Sequence, residues 1–436
     1  MPMQNIYCNQ FCPEGSFVLR ILMLSWEYPP RIVGGIARHV EELAWELAAL
    51  PDTEVHVVTC EFEGAPAEET VRGVHIHRVA PYTAPGGYTD FFHWVHRLND
   101  AMRDRAHELI KAWLAPAARG KNLKNPKKLP EKQTIVLHAH DWLAHFAAAE
   151  LKHTYKLPLI ATIHATEFGR NNGIHSPISR YIDQIERELI TEAWRVIVCS
   201  EFMRGEVEYA LQTPRDKVDI VYNGVHWQKF DFPFPPEEAA AFRSAYASPH
   251  EKIVMFVGRG VREKGCQVLI DAMPRVRAVY PNVKLVIAGG GYRQHLMEQA
   301  RALGIWEQTY FTGFIPDEKL LRLYRIADAA CFPSLYEPFG IVALEAMAAK
   351  CPVVVSDAGG LKEVVEHNVT GITTWINNPD SLAWGLLHSL LNPGHAHEMA
   401  ETAFERVETL FNWARIAAQT REVYLRVIQE YRNSNW

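Results

Sequence analysis

The chain has 436 residues, of which 48% are hydrophobic and 22% are charged, and its net charge is −6 at pH 7. This composition is typical of a globular protein, and the length predicts two domains of roughly 200 residues each. The negative charge argues against nucleic acid as the main partner. No apolar run is long enough to span a bilayer and no secretory leader is recognisable, so we expect a soluble protein whose contact with membranes, if any, is peripheral.

The seven cysteines are scattered along the chain, and most of them lie in apolar segments. We expect them to be reduced and structural, as in a cytoplasmic protein. Residues 1–17 contain Cys8 and Cys12 but no second Cys or His pair at metal-ligand spacing. This segment is therefore predicted to be an N-terminal extension and not a metal site.

The first predicted strand, 18–25, is a nearly continuous apolar run of the kind that a parallel sheet buries on both faces. Gly34 and Gly35 then lead into a predicted helix over 36–50. Two glycines between a strand and a helix N-terminus let a ligand approach the backbone closely. A simple tight turn has the same signature, so the pair alone does not decide between them.

Strand-like runs then alternate with helical patterns at 55–60, 74–79, 134–140, 159–164, 195–200 and 218–222. This alternation predicts a doubly wound α/β sheet, in which ligands bind at the carboxyl ends of the strands. A histidine at such an end is more often structural than functional, but the convergence of several favours a site. The polar residues at these ends are His138, His140 and Asp141, then His164 and Glu167, and then Ser200 and Glu201.

Two segments of the first half keep several interpretations open. The aromatic loop over 81–98 is most simply the packed start of a helix, but it could also stack on sugar rings or touch a membrane surface. The Lys-rich segment 120–132 is most simply a solvated connection, with docking to an anionic membrane or a phosphorylated ligand as the alternative. A proline-rich linker, 231–250, is predicted to separate an N-terminal domain, 18–230, from a second domain, 251–410.

The second half restarts with a buried strand, 252–258, and Arg259 and Lys264 follow at the head of the next helix. A turn ending in glycine, a helix N-terminus and two cations can together neutralise a diphosphate. Without further evidence, Arg259 and Lys264 would be interpreted as part of an ordinary charged surface turn. The next strand, 283–288, ends in Gly289-Gly290-Gly291, where the backbone is open to close approach.

The most informative stretch is 331–349, where a short strand runs into a Pro- and Ser-containing loop and Gly340 opens a helix. The N–H groups of Phe339, Gly340 and Ile341 are the expected free donors at the helix start, where the dipole favours an anion. Glu337 precedes these donors, and Glu345 lies about two turns further on. Isolated glutamates usually cap a helix or face solvent, but Glu345 has apolar neighbours. A carboxylate beside an anion site needs a hydrogen-bond donor, so the pattern suggests a nucleotide sugar.

The spacing of Glu337, Gly340 and Glu345-Ala346 resembles the donor-site signature of the retaining family-4 (group-1) glycosyltransferases. The segment 138–142 and the Gly-Gly entry are similar to those of glycogen-synthase-like members. The resemblance extends from about residue 18 to the end of the chain. It implies the GT-B fold, with two Rossmann-like doubly wound α/β domains facing across a cleft and a C-terminal helix, 411–436, crossing back to the first domain.

The resemblance also implies a reaction. We expect a hexosyl group, most simply glucosyl, to move with retention from ADP-glucose or UDP-glucose to an α-glucan, as in glycogen synthesis. The alternative acceptors are glucose-1-phosphate, another small molecule or a lipid-linked molecule. The alternative functions are a sugar-nucleotide epimerase on the same fold and a non-catalytic lectin-like protein. No Asp-x-Asp placed to hold a divalent ion for the diphosphate stands out, so no metal and no cofactor are expected.

Residue roles follow from the same resemblance. Arg259 and Lys264 are expected to bind the diphosphate and Glu345 the ribose. Glu337 is expected to bind the sugar hydroxyls, and His164 to orient the sugar near its reacting face. The remaining donor contacts are expected at Gly34, Gly35, Gly258, Gly289, Phe339, Gly340 and Ile341, and the acceptor side at His140 and Asp141. Starch-synthase-type relatives carry a Lys before the paired glycines, where this chain has Val33.

Overall fold

The computed structural model describes residues 18–83, 87, 89–115, 133–291 and 293–436. The predicted N-terminal extension, with Cys8 and Cys12, and the Lys-rich segment 120–132 lie outside the described residues. So do residues 84–86 and 88 of the aromatic loop. The described chain forms two compact units, the first built from the described residues within 18–198, 206–221 and 417–436, and the second from those within 199–205 and 222–416.

The first unit is built on an eight-stranded sheet with the order β3-β4-β2-β1-β5-β6-β7-β8. Neighbouring strands are parallel except β3 and β4, which are antiparallel. Strand centres such as Leu19, Ile21 and Val136 are fully buried, as a nearly continuous apolar run requires. The strands are β1 Val18–Ser25, β2 Thr53–Cys60, β3 Glu68–Val71, β4 Val74–Val79, β5 Gln133–His140, β6 Leu159–Ile163, β7 Arg195–Val198 and β8 Val218–Ile220.

The second unit is built on a six-stranded parallel sheet with the order β11-β10-β9-β12-β13-β14. The order reverses beside β9, which is where ligands bind in open sheets of this kind. The strands are β9 Lys252–Val257, β10 Val283–Ala288, β11 Thr309–Gly313, β12 Ala329–Phe332, β13 Val353–Ser356 and β14 Ile372–Thr374.

The helices follow the strands in alternation, and several begin at a side-chain cap. Asp90 accepts from the N–H of His93 at the start of α2, and Ser176 accepts from Ser179 at the start of α5. The helices are α1 Gly35–Ala48, α2 Phe91–Leu114, α3 His145–Tyr155, α4 Glu167–Asn171, α5 Pro177–Glu192, α6 Glu201–Ala210, α7 Pro236–Arg243, α8 Cys266–Val279, α9 Gln294–Ala302, α10 Asp317–Ile326, α11 Ile341–Ala348, α12 Leu361–Val364, α13 Pro379–Leu391, α14 Pro393–Leu410 and α15 Trp413–Asn433.

The predicted alternation of strands and helices is confirmed, with ends that move by one or two residues in most elements. Short apolar runs at 311–315 and 352–356 were also predicted to be strands and correspond to β11 and β13, whereas β3 and β14 were not predicted. The segment predicted as a linker, 231–250, contains α7, and the boundary between the units falls earlier, between residues 221 and 222. The cysteines among the described residues are buried and unpaired. No helix in the described part of the chain is both long enough and apolar enough to cross a membrane.

Candidate functional site: two sets of strand ends

Lys264 and Glu337 form the central contact of the second unit. Lys264 ends a short 3-10 helix, Arg262–Lys264, after β9, and Glu337 lies in the loop between β12 and α11. The Lys264 Nζ is 2.7 Å from Glu337 Oε2, and the Ser334 hydroxyl donates to the same oxygen at 3.0 Å. Glu337 is only 7% exposed, so its carboxylate is held by two donors and not by solvent. Two residues 73 positions apart in the sequence thus meet.

Glycines hold the loop between β12 and α11 in place. Gly265 has φ +70° and lies against the Pro333 carbonyl, so that a Cβ there would collide with it. Gly359 and Gly360 lie equally close to the carbonyls of Glu337 and Pro338, and the Gly360 N–H donates to the Glu337 carbonyl at 2.9 Å. Only glycine permits these approaches, which fix the backbone that carries Glu337.

The start of α11 leaves main-chain donors available. Gly340 adopts φ +108° immediately before the helix. The N–H groups of Phe339, Gly340 and Ile341 have no hydrogen-bond acceptor among the residues that the structure describes. The Phe339 ring is buried against Tyr222 and Phe411, which anchors the helix start from the side. Unpaired N–H groups at the positive end of a helix dipole can bind an anion.

Glu345 and Arg259 lie in different surroundings. The hydroxyl of the buried Tyr324, on α10, donates to Glu345 Oε2 at 2.9 Å, which fixes the orientation of that carboxylate. Arg259 is exposed, and its guanidinium lies 3.4 Å from Glu263 on the same turn. The cation predicted to meet the diphosphate beside Lys264 is therefore on a solvated side chain, which a surface ion pair of this kind holds only weakly.

Gly258 and Gly289 end adjacent strands, β9 and β10, and pack directly on each other. Gly289 has φ +134°, and a Cβ there would collide with the Gly258 carbonyl. Close packing of the two strand ends is thus a sufficient reason for glycine at 289.

In the first unit, the N–H groups ahead of α1 are occupied by a side chain of the protein itself. Glu27 Oε2 accepts from the N–H of Val33 at 2.6 Å and from that of Gly34 at 2.9 Å. A carboxylate thus satisfies donors that precede the helix, as a capping residue does. The Gly34 N–H predicted for the donor molecule already has this acceptor, so a phosphate would have to displace Glu27 to use it.

Three histidines converge at the carboxyl ends of β5 and β6. His140 Nδ1 is 3.2 Å from His164 Nε2, and the ring of His39, on α1, packs against His164 with centroids 4.6 Å apart. Burial lowers the pKa of His164 to about 3, with Arg170 as a second cause. Burial also holds the pKa of His140 well below its usual value, with the neighbouring histidines as a second cause. These imidazoles are therefore neutral at physiological pH. His138, by contrast, is held by Tyr424 and Thr162 at 2.7 Å each, as a structural residue is.

Asp141 follows β5 with a positive φ of +60° and an extended ψ of 172°. Its Oδ1 accepts from the N–H of His164 at 2.8 Å, and Arg170 lies 4.0 Å from its other oxygen. Burial raises the pKa of Asp141 to about 6, although Arg170 and the His164 N–H act in the opposite direction. Asp141 thus positions the backbone that carries His164.

Comparisons with known proteins agree along most of the chain. A model of the glycosyl transferases group 1 matches residues 239–406, and one of the glycosyltransferase family 4 matches residues 33–229. An uncharacterised glycosyltransferase of Methanocaldococcus jannaschii is 38% identical over 93% of this chain and 98% of its own length. The chain belongs to the group 1 glycosyltransferases.

This glycosyltransferase is also similar to a glycogen synthase in sequence and to two solved structures in fold. A glycogen synthase of Mycobacterium tuberculosis is 35% identical over 93% of this chain and 94% of its own length. The sucrose-phosphate synthase of Thermosynechococcus elongatus superposes with a TM-score of 0.76 at 23% identity, covering 94% of this chain and all of that one. Anabaena HepE, solved with UDP and glucose, gives 0.72 at 20% identity, covering 93% and 99%. The predicted GT-B fold and the predicted glycogen-synthase-like membership are confirmed.

Sequence reasoning missed several residues that shape these strand ends in the glycosyltransferase. His39 lay in a correctly predicted helix, but nothing in the helical pattern says that it meets His164. Tyr324 and Glu27 were missed because their partners are set by tertiary packing. Ser200 was placed at a strand end, and its hydroxyl donates to the Pro338 carbonyl at 2.7 Å, so it supports the loop that carries Glu337.

Proposed function

We propose that this glycosyltransferase moves a glucosyl group, with retention at the anomeric carbon, from ADP-glucose or UDP-glucose to a hydroxyl of an α-glucan. The observation that carries the proposal is the Lys264–Glu337 pair beside three free N–H groups at the start of α11. A cation, a carboxylate and a helix N-terminus in one place suit a ligand with a charged diphosphate at one end and sugar hydroxyls at the other.

In this proposal the hard step is departure of the nucleoside diphosphate. As the bond between the sugar C1 and the diphosphate oxygen breaks, positive charge grows on the ring and negative charge on the leaving group. Lys264, Arg259 and the N–H groups of α11 would bind the leaving group more tightly as its charge grows, which accelerates the step. The acceptor oxygen forms the new bond to C1 on the same face, and its proton goes to a departing phosphate oxygen.

The remaining roles follow the resemblance and the contacts. Glu337 accepts from donor-sugar hydroxyls through its oxygen that does not face Lys264. Glu345, oriented by Tyr324, accepts from the ribose hydroxyls. His164 is the residue that we propose for the sugar, with His140 and Asp141 on the acceptor side. Because Lys264, Arg259 and main-chain donors supply the positive charge, we propose a reaction that needs no divalent cation and no cofactor.

The proposed donor and acceptor draw on the relatives. The glycogen synthase of Mycobacterium tuberculosis supports an α-glucan as acceptor, and the HepE structure with UDP and glucose supports a nucleotide sugar of glucose as donor. We further propose that the protein acts in the cytoplasm, where nucleotide sugars are made and where its buried, unpaired cysteines remain reduced.

The test is release of diphosphate from ADP-, UDP- and GDP-glucose, measured with and without maltooligosaccharides, in buffer containing a chelator. We expect release that depends on the oligosaccharide, an elongated product and an α-linkage by NMR. Conversion of the donor without an acceptor would indicate an epimerase, and binding without release would indicate a lectin. Transfer to glucose-1-phosphate or to a lipid acceptor alone would keep the glycosyltransferase and replace the acceptor.

A further inference from the structure

One face of the sheet in the first unit carries polar residues that the proposed reaction does not use. Glu54 and His56 lie on β2, and His75 and His77 lie on β4, with His56 and His75 directly paired in register. Residues two positions apart in a strand point to the same face, so all four side chains lie on one face. The rings of His56 and His75 stack with centroids 4.5 Å apart. The group is therefore compact.

A chain of contacts runs from the carboxylate of Glu68 through His77 and His56 to the carboxylate of Glu54. Glu68 Oε2 is 2.5 Å from His77 Nδ1. His77 Nε2 is 3.0 Å from His56 Nδ1, and His56 Nε2 is 2.8 Å from Glu54 Oε1. Each of these three contacts needs one hydrogen, but a neutral imidazole carries only one N–H. Two neutral rings supply two hydrogens, so one contact places two acceptors against each other.

A further positive charge resolves this shortage. Both rings are buried, and burial disfavours an imidazolium. At the Glu68 end, Arg105 Nη2 lies 2.8 Å from Glu68 Oε1 and 3.2 Å from His77 Nδ1, which supplies a charge there. At the other end, Arg20 binds only the outer oxygen of Glu54, Oε2, at 2.9 Å. Glu54 Oε1 and His56 Nε2 are hydrogen-bonded at 2.8 Å, and both atoms are also potential metal ligands.

His75 supplies a third ligand at this end. Its Nδ1 is 3.1 Å from the Thr70 hydroxyl, which holds the ring in place. The ligand atoms of Glu54, His56 and His75 all lie within 4.8 Å of one another. We propose that these three residues bind a divalent transition-metal ion of the Zn²⁺ type, with water as a further ligand.

The surroundings fit such an ion. Zn²⁺ binds imidazole nitrogen and carboxylate oxygen at about 2.0–2.2 Å in a tetrahedral arrangement, so neighbouring ligand atoms lie roughly 3.3 Å apart. The three ligand atoms lie within 4.8 Å of one another and would reach that spacing through side-chain rotation. Each ligand is held by a second group: Arg20 on Glu54, His77 on His56 and Thr70 on His75. Two nitrogen ligands select Zn²⁺, Co²⁺, Ni²⁺ or Cu²⁺ over Mg²⁺ and Ca²⁺, which prefer oxygen.

The test is metal binding by the full chain after treatment with a chelator, with no dependence on activity. Co²⁺ is titrated while the visible absorption of its tetrahedral complexes is recorded, and Zn²⁺ is then added as a competitor. A second group of possible ligands, His39, His140 and His164, could also bind Co²⁺. All measurements are therefore made in a His164→Ala background, which removes one ligand of that group. We expect one Co²⁺ to remain bound there, displaced by Zn²⁺ and not by Mg²⁺.

Three variants in that background decide the outcome. His75→Ala and Glu54→Gln should each weaken binding at least tenfold, because each removes a ligand. His153→Ala is the matched control, because His153 lies 2.8 Å from Glu192 in a surface pair that is not part of the proposed site. Co²⁺ binding by this variant should be unchanged. Binding by both His75→Ala and Glu54→Gln with the affinity of the background, or no binding by the background itself, overturns the proposal. If one variant fails to fold, the other carries the test.

Discussion

The strand ends of the two sheets carry different kinds of side chains. In the second unit, the strand ends carry a charged pair, Lys264 and Glu337, on backbone fixed by glycines, with free N–H groups beside it. In the first unit, the strand ends carry buried imidazoles that are neutral at physiological pH. One fold can therefore carry charged groups at the strand ends of one sheet and uncharged hydrogen-bonding groups at the strand ends of the other. We expect an anionic ligand group to bind at the charged strand ends of the second unit.

The first prediction has the largest expected effect and concerns the charged strand ends of the second unit. Glu337→Gln should lower turnover by about 10²–10³-fold, because it removes the charge that orients Lys264 and accepts from the sugar. Turnover is measured as diphosphate release. The matched control is Glu251→Gln, since Glu251 also pairs with a lysine, Lys284, at 3.7 Å, and this variant should keep normal turnover. Equal losses in both variants would remove the distinction that we draw.

The second prediction tests the role of glycine in fixing the charged loop. Gly265 and Gly304 have nearly equal φ angles, +70° and +67°, but only Gly265 lies against another segment. Gly304→Ala should cost about 1–2 kcal/mol for the left-handed conformation, and Gly265→Ala about 1–3 kcal/mol more for the collision with Pro333. Thermal unfolding of both variants measures the difference. Equal melting temperatures would show that the loop is not clamped at Gly265.

The third prediction concerns the buried, uncharged side. The pKa of Asp141 rises from 3.8 to about 6 in the folded protein, so its contribution to stability is present below pH 3.8 and is lost as the pH rises through 6. Asp141→Asn keeps an acceptor for the His164 N–H and removes the buried charge. The variant should gain stability relative to the parent as the pH rises from 4 to 8, by at most roughly 3 kcal/mol.

Unfolding at a series of pH values measures this gain. Asp183→Asn is the control, because Asp183 forms a helix ion pair with Arg187 at 2.8 Å, and it should show no such gain between pH 4 and pH 8. A stability difference between Asp141→Asn and the parent that does not change with pH would contradict the account of the buried carboxyl.

The smallest expected effect sharpens the division of roles on the charged side. Glu345→Gln should raise the KM for the nucleotide sugar about tenfold with little change in kcat, because losing one ribose contact weakens the ground state and the transition state alike. Tyr324→Phe, which removes the hydroxyl that orients Glu345, should do the same to a smaller extent. Initial rates over a range of donor concentrations give both constants. A fall in kcat at unchanged KM would move Glu345 to the reacting end of the donor.

Much of the fold could be predicted because buried parallel strands leave a plain apolar signature. β3 was missed because its residues, Glu68 to Val71, are mostly polar and belong to an edge strand, and β14 because it has only three residues. The start of α11 after Gly340 was predicted because a local pattern defines it. Contacts were missed where packing between distant segments defines them, as in the meeting of His39 with His164. Glu337 was predicted to face sugar hydroxyls, but its pairing with Lys264 was not.

The most direct measurement is calorimetric binding of ADP and UDP to the parent protein, Lys264→Ala and Lys284→Ala. The two lysines have equal exposure and each pairs with a glutamate, so they differ mainly in position. We predict that Lys264→Ala weakens binding of the preferred nucleotide about 100-fold and that Lys284→Ala leaves it unchanged. Binding to Lys264→Ala with the affinity of the parent would contradict the claim that the charged strand ends of the second unit hold the diphosphate.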